Sequence, residues 1–212
     1  MLTNSRLLGS TLLSIALFAF LVLIAAACQP QDAQSLSYQG TELTDGQLAP
    51  EFTLVDQHGT SASLSDFRGR AVVLTFLDST CVDVCPFTAL ILRNAAKQLA
   101  AASSRTAFLG VNVNPLAYKV EDVRLWTEQN HLEEIPGWRF LTGTPPELSG
   151  VWQSYAVLVE ASGDHVIHSA GIYLIDKQGR ERWYFGIEPD AGAIEPMSRL
   201  LSQRIQALFR ER

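Results

Sequence analysis

The sequence predicts an α/β domain: a mixed central sheet flanked by helices, with a small hairpin on its N-terminal side. Three observations carry that expectation. Continuous apolar, β-branched runs, AVVLTFL (71–77) and TAFLGVNVNP (106–115), read as strands buried on both faces. Between and after them come segments whose apolar residues recur at helical spacing, so β and α elements alternate. Finally, Cys81 and Cys85 stand on the seam between the first buried strand and the first helical pattern, at the strand end where open α/β sheets place their sites.

In chain order, Phe52 and Leu54 alternate before an Asp-x-x-Gly turn at Asp56 to Gly59, and Leu64 and Phe67 follow, as in a hairpin and a turn. Ala71 to Leu77 is the central strand. From Cys85 or Pro86 the pattern becomes helical, with Ala89, Leu90, Leu92, Ala96 and Leu99 recurring up to about Ala102; a proline suits the first helical turn. After the second strand, KVEDVRLWTEQNHL is a helix with Val120, Val123, Leu125 and Trp126 on its inner side, and WRFLT is a short strand. PPELSGVWQSYAV opens a short helix with prolines, HVIHSAGIYLID is a strand, and KQGRERWYFG turns at Gly179 into another. From Ala191 the last helix places Ile194, Met197, Leu201, Ile205 and Leu208 inside, with Arg204, Arg210 and Arg212 towards the end where the helix dipole favours cations. A strand, a dicysteine turn and a helix in succession point to a thioredoxin-like fold.

With 212 residues, 47% hydrophobic and 18% charged, the chain suits one globular domain plus an extra terminal piece. A net charge of -6 without any Lys or Arg cluster offers nothing to a phosphate backbone, which excludes nucleic acid as a partner class. The extra piece is RLLGSTLLSIALFAFLVLIAAACQPQ, in which no charge occurs between Arg6 and Asp32. Small residues Ala25 to Ala27 lead directly into Cys28, which resembles a bacterial lipoprotein signal whose cysteine is lipidated. The alternative is an uncleaved transmembrane anchor, because Leu7 to Ala27 has the 21 residues that crossing a bilayer requires. Either way the domain is expected on the extracytoplasmic face of a bacterial membrane. The expected organisation is 1–28 as signal or anchor, 29–48 as a flexible polar tether, and 49–212 as the folded domain.

With Cys28 assigned to the anchor, Cys81 and Cys85 have no other thiol to pair with. On a helix, residues i and i+4 lie about 6 Å apart along the axis, so both sulfurs can face one point, and a disulfide between them is also within reach. Backbone N–H groups at the helix start would favour thiolates, which both redox chemistry and metal binding need. A five-residue disulfide loop would add little stability, so a purely structural bridge ranks low.

The four histidines are the candidates to face the pair. His58 in a turn and His131 at a helix end read as surface residues. His165 and His168 lie on opposite faces of a strand, so only one of them can face the cysteines. Thioredoxin-like redox proteins carry a cis-proline at this point of the chain, whereas SGDHVIHSAG has none and has a histidine. Two thiolates and an imidazole form a soft donor set that suits trigonal Cu(I) better than zinc, for which no fourth ligand is evident.

The stretch TFLDSTCVDVCP resembles the CxxxCP motif of the Sco/SenC copper-binding proteins, matching at Asp83, Val84, Cys85 and Pro86. APEFTLVDQHG, VNVNP, FLTG and HSAGIYLIDKQG extend the resemblance over about Ala49 to Arg182. The resemblance implies copper ligation by Cys81, Cys85 and His168, as Cu(I) and also as Cu(II), and a role in loading the dinuclear copper centre of cytochrome c oxidase subunit II. Three positions depart from the family's common residues: Val82 for Pro, Asn114 for Asp, and Ile167 for Asp. Rivals to this metallochaperone reading are a thiol-disulfide reductase, with Cys81 attacking and Cys85 resolving, and a copper sensor.

Overall fold

The computed structural model describes residues 40–44, 46–163, 165–188 and 190–211. The expected anchor over 1–28, with Cys28, lies outside the described residues, as does the tether up to residue 39. Among the described residues no helix is long and apolar enough to cross a membrane.

The strands are β1 (Thr41–Glu42), β2 (Thr53–Val55), β3 (Ser61–Ser63), β4 (Ala71–Leu77), β5 (Thr106–Asn112), β6 (Arg139–Leu141), β7 (Val159–Ser162), β8 (His165–His168), β9 (Gly171–Ile175) and β10 (Glu181–Gly186). The helices are α1 (Val84–Leu99), α2 (Val120–Gln129), α3 (Pro145–Ser154) and α4 (Ile194–Arg210). Six strands form one sheet in the order β1-β10-β9-β4-β5-β6, while β2-β3 and β7-β8 are separate hairpins. β4, β5 and β6 run parallel, and β9 and β10 close the sheet antiparallel, as a mixed sheet with a final hairpin requires.

Every residue of β4 and β5 is buried, so their continuous apolar character has its cause in two covered faces. Ala71, Val73 and Leu77 point to the side packed by α1, α2 and α4, including Leu92, Trp126 and Leu201. Val72, Leu74 and Phe76 point to the other side, under α3 and the β2-β3 hairpin, where Leu54, Leu64 and Trp152 lie. Alternation along one strand thus divides the core into two layers. The hairpin turn is held by Asp56, whose Oδ1 accepts from His58 N at 2.9 Å and Thr60 N at 3.0 Å.

Several expectations need correction. The stretch read as a tether joins the sheet near its end: Thr41 pairs with Tyr184, and Leu48 bridges to Arg180. Both residues of β1 are exposed, so no apolar alternation marked the strand in advance; what recruits it is the free edge of β10. Leu125 faces outward at 42% exposed, and the inner stripe of α2 is Val123, Trp126 and Thr127. HVIHSAGIYLID is two strands rather than one. It breaks after His168, where Ser169 turns back on Leu158: the Leu158 N–H donates to Ser169 Oγ at 3.0 Å, and the Ser169 N–H to the Leu158 carbonyl at 3.1 Å. His168 therefore ends a hairpin that stands off the main sheet.

Candidate metal centre

The site is built where β4 gives way to α1. Asp78 follows β4, and its carbonyl accepts the Cys81 N–H at 3.2 Å, closing a turn that presents the first cysteine. From the other side the Trp126 indole N–H donates to the Cys81 carbonyl at 2.9 Å. Cys81 therefore lies in a bend ahead of the helix, held by β4 and α2, and only Cys85 is helical. The i, i+4 helical geometry expected for the pair does not apply; the turn brings the sulfurs together instead.

Asp83 caps α1, its Oδ1 accepting from Val84 N at 2.7 Å, and Cys85 is the second helical residue, 2% exposed. At that position the Cys85 N–H has no partner within the helix, and it donates to Cys81 Sγ at 3.3 Å. The helix start thus supplies a donor to the sulfur outside it, as the sequence led one to expect. In its thiol form Cys81 donates to Asp83 Oδ1 at 3.1 Å. Cys81 and Cys85 are both free cysteines.

β8 delivers His168 to the same place. Its Nε2 lies 3.8 Å from Cys85 Sγ, and its Nδ1 lies 3.0 Å from the Ser169 carbonyl oxygen. A carbonyl can only accept, so Nδ1 carries the proton and Nε2 turns a lone pair towards the sulfur. Burial holds the His168 pKa below its ordinary value, which favours the neutral, ligating form. His165 and Ile167 project from the opposite, exposed face of β8, as the period of two requires. His58 and His131 are exposed, as expected for surface histidines.

The two thiols are unequal. The Cys85 thiol, donating to the Cys81 sulfur, holds the Cys81 pKa down to about 7, with partial burial opposing and the Cys85 backbone N–H assisting. The same bond, reinforced by burial, pushes the Cys85 thiol upward. Alkylation of the reduced protein by iodoacetamide is therefore expected at Cys81 first, with a rate midpoint near pH 7. Peptide mapping across a pH series checks this; a Cys81 midpoint above about pH 8, the ordinary thiol range, would contradict it.

Among the described residues no three His, Cys, Asp or Glu side chains already stand as a closed coordination cage. Cys85 and His168 face each other, while Cys81 is turned towards Asp83. The donor chemistry nevertheless fits a soft ion. Donors bound at about 2.3 Å (S) and 2.0 Å (N), about 120° apart, are themselves separated by about 3.7 Å, close to the 3.8 Å between Cys85 and His168.

Asp78, Asn114, Trp126 and Ser169 support the three donors, and sequence reasoning assigned a supporting role to none of them. For Asn114 the signal was its departure from the family's aspartate; the others carried none.

The SCO1/SenC family pattern matches residues 40–201. The chain belongs to the SCO1/SenC family. Over 168 residues it is 28% identical to the human mitochondrial protein SCO2 homolog, covering 76% of this chain and 60% of that protein. The chain spans about half to three fifths of the first curated relatives it matches. The solution structure of apo Sco1 from Thermus thermophilus superposes with a TM-score of 0.64 at 24% identity, over 81% of this chain and 96% of that one. The copper-bound ScoI of Bradyrhizobium japonicum superposes with a TM-score of 0.63 at 20% identity, over 76% and 99%. These likenesses establish the thioredoxin-like fold of this Sco/SenC domain. The family match begins at residue 40, in agreement with β1 belonging to the domain.

Proposed function

We propose that this Sco/SenC protein is a membrane-tethered copper metallochaperone that binds Cu(I) through Cys81, Cys85 and His168 and assists assembly of the copper centre of cytochrome c oxidase subunit II. The observation that carries the proposal is the neutral Nε2 of His168 facing Cys85 Sγ at 3.8 Å beside a second free thiol. Two sulfurs and one nitrogen are a soft set that selects Cu(I), and the same set accepts Cu(II). Copper-bound structures of the Sco proteins from Arabidopsis thaliana and Bradyrhizobium japonicum support the choice of metal. Binding requires both thiolates, so loading releases protons, more from Cys85 than from the partly ionised Cys81. A partner's incoming thiolate can add to a three-coordinate ion before a donor leaves, which suits delivery rather than storage.

The test is anaerobic titration of the reduced soluble domain with Cu(I). One tightly held ion per domain, with protons released on binding, is the expected result; no copper bound at stoichiometric protein would overturn the proposal.

A second reading has its own observation. The low-pKa, half-buried Cys81 beside a buried Cys85 with a raised pKa is the asymmetry of an attacking and a resolving thiol. Catalytic turnover of a disulfide substrate by metal-free protein would favour that reductase role. For the anchor we propose lipidation at Cys28, with the 7–27 segment as a transmembrane helix being the alternative. Mass spectrometry of membrane-extracted protein distinguishes a lipidated Cys28 terminus from an intact Met1.

A further inference from the structure

Behind the cysteine turn lies a carboxylate that the ligand set leaves unused. Asp78 is 6% exposed and immediately follows β4. Its Oδ1 accepts three hydrogen bonds: from Thr80 N at 2.8 Å, Thr80 Oγ1 at 3.0 Å and Asn114 Nδ2 at 2.8 Å. Three donors converging on one oxygen is an environment made for an anion. Asn114 is itself fixed, because its Oδ1 accepts from Leu116 N at 2.8 Å and Ala117 N at 3.0 Å, and its Nδ2 also reaches Thr80 Oγ1 at 3.0 Å. The carboxylate is thereby locked between the end of β4 and the loop after β5. It has little freedom to swing out as a ligand.

Its field nonetheless reaches the site, acting on both Cys85 and His168. The other carboxylate nearby, Asp83, is fully exposed, so water screens it. A copper ion held by two thiolates and a neutral imidazole leaves a net charge of -1 as Cu(I) and 0 as Cu(II). A buried anion next to that centre repels the first and not the second.

We propose that Asp78, locked by Asn114 and Thr80 behind the Cys81 turn, is a positioning residue whose fixed negative charge biases the site towards Cu(II) relative to Cu(I). The inference rests on copper being the metal. As a general scale, a unit charge at about 8 Å, a Debye length at physiological salt, and an effective dielectric of 20 to 40 changes an equilibrium by roughly five- to thirtyfold.

The test compares wild type with Asp78→Asn and Asn114→Ala. Cu(I) affinity is measured anaerobically against a chromogenic chelator, and Cu(II) affinity by competition, following the thiolate-to-copper charge-transfer band. In Asp78→Asn the ratio of Cu(II) to Cu(I) affinity is expected to fall about tenfold. Asn114→Ala loosens the same turn but keeps the charge, so both affinities should fall together and the ratio stay within about twofold. Asp78→Ser, whose hydroxyl still accepts the Thr80 N–H, serves if the asparagine variant does not fold. A ratio within about twofold of wild type in the Asp78 variants, or a fall of the ratio in Asn114→Ala as large as that in Asp78→Asn, overturns the inference alone. Failure of wild type to bind copper overturns the metal assignment and this inference with it.

Discussion

Cys85→Ser should lower Cu(I) affinity more than a hundredfold while leaving the fold intact. The substitution exchanges a sulfur for an oxygen of similar shape at a position 2% exposed, so the helix start and the core around it lose little packing. What is lost is chemical: a serine hydroxyl stays protonated at neutral pH and is a hard donor, unsuited to a soft monovalent ion. Thiolate-rich protein sites derive on the order of 3 kcal/mol per ligand, which corresponds to the stated factor. Competition against a Cu(I) chelator measures the loss, with circular dichroism and a thermal melt as controls for folding. A folded Cys85→Ser protein that keeps its affinity to within about fivefold would remove Cys85 from the ligand set.

His168→Ala should cost less, roughly ten- to a hundredfold in Cu(I) affinity, because two thiolates can still hold the ion in a linear arrangement. The histidine's contribution is specific because its tautomer is set in advance: Nδ1–H donates to the Ser169 carbonyl at 3.0 Å, which leaves the Nε2 lone pair free. Alanine removes the nitrogen donor that faces Cys85 and leaves both cysteines in place. His165→Ala serves as the comparison, and no change is expected because His165 lies on the exposed face of the hairpin. Equal losses from the two histidine substitutions would mean that the hairpin, rather than Nε2, matters. Unchanged copper binding in His168→Ala, together with catalytic disulfide reduction, would transfer the site to the reductase.

The support behind Cys81 yields a stability prediction. Trp126→Phe removes the indole N–H that satisfies the Cys81 carbonyl and leaves that group short of a partner, so unfolding free energy should fall by about 1–3 kcal/mol. Urea denaturation measures it, and copper affinity should fall with it because the turn is then held from one side only.

The three proposed ligands could be named from the sequence, and their supports could not. Cys81, Cys85 and the histidines carry distinctive chemistry; the alternation of a strand allowed only one of His165 and His168 to face the cysteines, and the resemblance to the Sco/SenC proteins picked out His168. The central strands declared themselves through unbroken apolar runs. The β7-β8 hairpin did not, because Val159 to Ser162 is mostly exposed and carries no clear period. The same holds for β1, which exists because β10 has a free edge. Asp78, Asn114 and Trp126 act through hydrogen bonds between residues 36 and 45 positions apart. No local pattern encodes such a bond; it follows only once parallel β4 and β5 have placed their C-terminal ends side by side. Cys81 does not share a helical spacing with Cys85 because Asp83, between them, caps the helix and leaves Cys81 ahead of it.

X-ray absorption at the copper edge of the Cu(I)-loaded domain tests the central claim most directly. Two sulfur scatterers and one nitrogen scatterer per copper are expected in wild type, with the nitrogen absent in His168→Ala. A wild-type spectrum with sulfur donors alone, or one unchanged by the His168 substitution, would contradict the three-ligand site.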